Sequence, residues 1–116
     1  MRVVVPIEEL RGLNSRLSNH FGRAPYYALI DLGSNEVKYL RNPREEGVKP
    51  GEFFSGLGID YVVVKGGVGR RALELLRGAG VEVLTTDVST LGEVIECLRR
   101  GSLRRFEGPA CGGGFE

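Results

Sequence analysis

Ile59-Asp60-Tyr61-Val62-Val63-Val64-Lys65-Gly66-Gly67-Val68-Gly69-Arg70-Arg71-Ala72 is the stretch that decides the fold. Its first half is a nearly unbroken apolar run, the composition of a strand covered on both faces. A glycine-rich turn then leads into Val68, Ala72, Leu73, Leu75 and Leu76, whose near-helical spacing stops at Gly78-Ala79-Gly80, a glycine stop signal. A strand that is apolar on both sides needs helices on both sides, so this stretch implies a layered α/β domain.

The flanking segments fit the same architecture. Val81-Glu82-Val83-Leu84 reads as a final strand, and Ser89 or Thr90 can cap a last helix with Leu91, Val94, Ile95 and Leu98 on one face, ending at Gly101. On the other side, Gly51 to Leu57 reads as a short helix. Tyr26 to Leu32 and Glu36 to Arg41 form a hairpin around the turn residues Gly33-Ser34-Asn35. Arg2-Val3-Val4-Val5-Pro6 reads as a β-branched strand stopped by proline, followed by a polar, turn-rich loop through Arg23. The predicted order is β, long loop, β, β, α, β, α, β, α. It describes one α/β domain over residues 1–107, a three-layer α/β/α sandwich on a mixed five-stranded sheet, with a flexible glycine-cysteine tail over 108–116.

Sixteen basic and fifteen acidic residues give a formal charge of +1, so no global field draws the chain to nucleic acid or anionic lipid. The longest apolar run falls far short of the ~20 residues of a membrane span, and the N-terminus lacks the pattern of a secretory signal. The sequence therefore predicts a cytoplasmic protein with neither a nucleic-acid nor a membrane partner. Cys97 and Cys111 read as free thiols or ligands, because the cytosol keeps thiols reduced. No nucleophile elbow, HExxH motif, paired CxxC or acidic triad is present, which points away from an enzyme.

Three segments carry chemistry. Ser18-Asn19-His20-Phe21-Gly22-Arg23-Ala24-Pro25 contains the single histidine of the chain. Its imidazole can ligate a metal or move a proton, and Arg23 can grip an oxyanion. Equally, His20 can hydrogen-bond the loop backbone while Phe21 plugs the core. The segment Lys65 to Ala72 places Gly66, Gly67, Gly69 and Arg70 at a strand-to-helix junction, either as an anion or cofactor contact or as a tight turn. It is neither a Walker A motif nor a complete dinucleotide fingerprint. Gly108-Pro109-Ala110-Cys111-Gly112-Gly113-Gly114 offers a thiol on a chain long enough to reach the His20 loop, or an incidental cysteine in a disordered end. Cys97, one helical turn from Val94, reads as structural.

Taken together, Ser18-Asn19-His20-Phe21-Gly22-Arg23-Ala24-Pro25-Tyr26, Gly58-Ile59-Asp60, Gly66-Gly67-Val68-Gly69-Arg70-Arg71-Ala72-Leu73 and Cys111-Gly112-Gly113 resemble the dinitrogenase iron-molybdenum cofactor biosynthesis family. This is the group of small domains related to NifX, NafY and the C-terminal part of NifB. The resemblance covers nearly the whole chain. It implies a ribonuclease-H-like α/β/α motif with a mixed five-stranded sheet, and binding or carriage of an iron-sulfur or molybdenum-containing cluster during metallocofactor assembly. Assembly or acceptor proteins would be the partners.

Within that resemblance, His20 and Cys111 become the metal ligands, and Arg23 with the amides after Gly66 the electrostatic support. Iron-sulfur clusters are usually held by four cysteine thiolates, whereas one copy supplies only Cys111, His20 and Cys97. The resemblance thus implies either a homodimer sharing a cluster or loose, transient holding of a preassembled one. Two other classes compete with a carrier. One is a small-anion-sensing or protein-interaction domain using Gly66 to Arg71. The other is a nuclease, suggested by topology alone, which does not transfer activity.

Overall fold

The computed structural model describes residues 1–107; the glycine-cysteine tail, Cys111 included, lies outside the described residues. Six strands and three helices follow one another: β1 (Arg2–Ile7), β2 (Tyr26–Asp31), β3 (Glu36–Arg41), α1 (Pro50–Ser55), β4 (Tyr61–Val64), α2 (Arg70–Gly78), β5 (Glu82–Thr85), α3 (Leu91–Arg100) and β6 (Arg104–Arg105). They form a single mixed sheet in the order β3-β2-β1-β4-β5-β6. The central strands β1, β4 and β5 run parallel, and the outer pairings are antiparallel.

The apolar run Val62–Val64 is buried because β4 has a parallel neighbour on each side and a packed layer on each face. One core cluster joins Val4, Tyr27, Val62, Val64 and Val83 to Phe54 of α1 and to Ala72, Leu73 and Leu76 of α2. The other joins Val3, Val5, Ile7, Ala28, Ile30 and Val63 to Leu91 and Val94 of α3. Alternate residues of β1 thus feed opposite cores, as the period-two geometry of a strand requires. The hairpin turn has the predicted chemistry. Asp31 Oδ1 accepts from the N–H groups of Gly33 (2.9 Å) and Ser34 (3.3 Å), which hold its carboxyl below the usual range, and Asn35 takes the left-handed conformation at φ 63°.

Two expectations need correction. Proline does not stop β1: the strand continues through Pro6 to Ile7. The Pro6 carbonyl accepts from Ser18 N–H (3.0 Å), on the side of β1 away from β2, so the missing proline donor falls where no ladder bond to β2 is lost. The sheet also has six strands and not five. β6 is two arginines paired with Leu84 and Thr85, too short and too polar to show alternation. It is set by its successor, as Phe106 packs into the core and donates to the Val83 carbonyl at 2.8 Å.

The segment between β1 and β2 is not a free loop. It forms a strap stitched across the carboxyl ends of the parallel strands. Glu8 N–H donates to Arg16 O (2.8 Å), Leu17 N–H to Ser89 O (2.9 Å) and Leu91 N–H to Ser15 O (2.9 Å); further along, Gly67 N–H donates to Asn19 O (3.1 Å) and Phe21 N–H to Gly67 O (3.4 Å). Ser15 and Ser18 are buried under it with their hydroxyls bonded to backbone. At Gly66 the Asn19 backbone comes so close that a Cβ would lie 2.0 Å from the Asn19 carbonyl oxygen. Only glycine fits there.

Two predictions follow from these contacts. Gly66→Ala has to push the strap off the sheet, because the obstacle is backbone and not a flexible side-chain end. We expect a loss of about 1–3 kcal/mol or more, the scale of overpacking, read as a lower urea midpoint with the His20 amide resonance displaced. The second concerns α3, where Thr90 Oγ1 accepts from Glu93 N–H and the Glu93 carboxylate accepts from Thr90 N–H, a reciprocal capping box. Thr90→Ala should cost about 0.5–2 kcal/mol. Hydrogen bonds from the Thr90 hydroxyl and from the Ser89 and Thr90 amides hold the Glu93 carboxyl below its ordinary value. Its stabilising effect is therefore present above the unfolded carboxylate range, about pH 4.3, and is lost as pH falls through the lower folded value. The stability gap between the native chain and Glu93→Gln should accordingly close in acid, as measured by urea titrations across pH.

Candidate functional site

In an open α/β sheet, ligands gather outside the carboxyl ends of the strands, where consecutive connections depart in opposite directions. Here that point lies between β1, whose chain leaves toward β2, and β4, whose chain leaves through α2 toward β5. The strap and the glycine turn meet at this point. His20 and Gly67 form a parallel bridge, so two segments read as separate in the sequence make one surface.

His20 is exposed on this surface, with its backbone fixed from both directions. Its N–H donates to Ser18 Oγ (3.3 Å), and Ser18 Oγ donates to its carbonyl (3.2 Å). The following residue, Phe21, is 1% exposed and sits edge-on to Tyr27 and Phe54, with ring centroids 5.8 and 6.0 Å away. Such aromatic pairs add about 0.5–1.5 kcal/mol beyond area burial. Tyr27 OH donates to Phe21 O. Asn42 Nδ2 donates to the carbonyls of Gly22 (3.1 Å) and Ala24 (2.8 Å), and Arg44 Nε to Gly22 O (2.9 Å). The exposed Arg23 therefore stands on a backbone whose neighbours are bonded on either side. Phe21 plugs the core, as one alternative for this loop expected, and His20 beside it is exposed.

A cleft of about 400 Å³ opens beside His20, lined also by Glu8, Arg16, Leu17, Asn19, Lys65 and Ser89. Arg16 is engaged by Glu9: Nη2 and Nε reach Oε1 at 2.8 and 3.0 Å, and Arg16 N–H donates to Oε2 at 2.6 Å. These hydrogen bonds hold the Glu9 carboxyl below its ordinary range. Exposed as it is, the pair adds little stability, but it orients Arg16. Arg23 and Arg70 are exposed and are not among the residues lining this cleft. Gly69 precedes the first turn of α2 and offers no side-chain cap, and its carbonyl accepts from Leu73 N–H at 2.9 Å.

Among the described residues, no group of three or more His, Cys, Asp or Glu side chains could hold a metal ion. His20 thus belongs to no such group among the described residues, and Cys111, the expected companion, lies outside them. Cys97 is half-buried on α3 and lines a different cleft, which shares only Lys65 with the first. Sequence reasoning missed Glu8, and it read Lys65 only as the start of the glycine turn and Ser89 only as a candidate helix cap. For Glu8 and Lys65 a signal existed, since each directly follows the last residue of a central parallel strand.

The family described as dinitrogenase iron-molybdenum cofactor matches residues 1–101 of the chain. An uncharacterized protein of Methanocaldococcus jannaschii is 24% identical over 92% of each chain. Among solved structures, the apo orange protein of Desulfovibrio gigas superposes with a TM-score of 0.79 at 21% identity, covering 95% of this chain and 96% of that one. A Thermotoga protein described as a candidate NifB protein gives 0.78 at 27% identity, covering 97% and 98%. The orange protein shows likeness of fold alone, whereas the family match spans the strap, the glycine turn and all three helices. This chain belongs to the dinitrogenase iron-molybdenum cofactor family.

Proposed function

We propose that this chain is a cytoplasmic carrier that binds an iron-sulfur or molybdenum-containing cluster as cargo and hands it to a metallocofactor assembly or acceptor protein, without catalysing a reaction. The observation that carries this reading is the bridge between His20 and Gly67, which sets an exposed imidazole beside the glycine turn at the carboxyl ends of β1 and β4. Family membership and the NifB description of the Thermotoga relative support it.

In this reading His20 and Cys111 ligate the cluster. Arg23, Arg70 and the backbone at Gly66, Gly67 and Gly69 offset its negative charge. By themselves the described residues do not complete the ligation of a resident cluster: they offer the His20 imidazole and no group of three His, Cys, Asp or Glu side chains. That inventory suits cargo held briefly, or held between two copies of the chain. Transfer then needs few bonds to be broken.

Anaerobic mixing with a preformed iron-sulfur or thiomolybdate cluster, followed by gel filtration, should yield coloured protein with metal in proportion to chain. The double variant His20→Ala, Cys111→Ala should lose most of that metal while keeping its native circular dichroism. Undiminished uptake by the folded double variant would overturn this assignment of ligands.

A further inference from the structure

A second cleft, of about 380 Å³, lies at the carboxyl ends of β4 and β5, lined among others by Lys65, Thr85, Thr86, Asp87, Ser102 and Arg104. None of the three chemistry-bearing segments of the sequence reaches it except through Lys65. Its size suits a small molecule, and it opens at the carboxyl ends of two parallel strands, the end of an α/β sheet at which ligands gather, one strand along from the point between β1 and β4. Its lining includes a lysine, an arginine and three hydroxyl residues, of which Ser102 already donates to the Cys97 carbonyl at 3.4 Å.

These donors are set by backbone pairing. Val64 lies opposite Thr85 in the β4–β5 ladder, and Thr86 N–H donates to Val64 O at 3.0 Å, so Lys65 and Thr86 leave the sheet side by side. Thr86 Oγ1 accepts from Val88 N–H at 3.2 Å; with a lone pair so engaged, its O–H is turned away from that amide as a donor. Arg104 faces Thr85 across the β5–β6 pair. Against two cations stands one carboxylate, Asp87. A carboxylate repels a fully ionised anion but accepts a hydrogen bond from a protonated one.

We propose that this cleft is a binding site for a small tetrahedral oxyanion that carries a proton, the chemistry of monohydrogen phosphate. Lys65 and Arg104 supply the charge, the Thr86 hydroxyl donates to an ionised oxygen, and Asp87 accepts from the protonated one. The site shares Lys65 with the cleft beside His20 but uses neither His20 nor Cys111.

Calorimetric titration of the full chain with inorganic phosphate near neutral pH tests it, with sulfate as the unprotonated comparison. Phosphate should bind with one site per chain and more tightly than sulfate. Lys65→Met should weaken phosphate about tenfold or more, the scale of a lost charge-assisted hydrogen bond, and Arg104→Met should weaken it too. Asp87→Asn should abolish the preference over sulfate. His20→Ala should bind phosphate as the native chain does, which keeps this outcome distinct from success or failure of cluster uptake. Absence of phosphate binding, equal affinity for sulfate, or native affinity in folded Lys65→Met would overturn the proposal.

Discussion

The Asn19 carbonyl lies directly against the α-carbon of Gly66, and the arrangement of the site depends on that contact. Without it the strap could not settle on the carboxyl ends of β1 and β4, and the two hydrogen bonds that tie Gly67 to Asn19 and Phe21 would have no geometry in which to form. Once it is made, Phe21 reaches the aromatic cluster with Tyr27 and Phe54, and His20 is turned outward. A second close approach repeats the device on the other core. A Cβ at Gly92 of α3 would meet the Leu13 carbonyl at 3.2 Å, so the first turn of α3 accepts the near end of the strap. The freedom of glycine is spent on chain packing against chain.

That division explains what could be read in advance. Elements defined by local periodicity were legible: the buried β4 run, the α2 and α3 faces, the hairpin at Gly33-Ser34-Asn35 and a cap at Ser89 or Thr90, of which the structure uses Thr90. Elements defined by distant partners were not. The strap carries no periodicity, and its order comes from bonds to residues 66–67 and 89–91. β6 is two arginines held by Phe106, and Pro6 is tolerated only because its bare side faces Ser18 and not β2. At the site, histidine and the glycine turn were both visible as unusual local compositions, whereas their union was not. Glu8 escaped notice, and Lys65 was read only as the start of the glycine turn, because a single charged residue after a strand is unremarkable until topology shows which strands end together.

The candidate site pairs a stiff frame with few donor side chains among the described residues. Most of the strap's described polar backbone is engaged, so little ordering remains to oppose binding when a ligand arrives, the usual benefit of preorganisation. Yet the described residues bring only one imidazole to the surface. A rigid frame with few ligands favours fast exchange, since affinity is limited by the number of bonds and not eroded by loop ordering. Lys65, lining both clefts, places one ammonium between two candidate ligands, so an anion in either cleft changes the field felt in the other.

The stitching of the strap also sets an order of events in the life of the chain. Synthesis proceeds from the N-terminus, so the His20 segment emerges long before Gly66, Ser89 and Leu91, the residues that hold it. A nascent chain displays the imidazole on an unsecured loop. The candidate edge comes into being only when β4, α2 and the start of α3 have left the ribosome and docked, so under the proposed function loading would be a post-translational step open only to a finished fold.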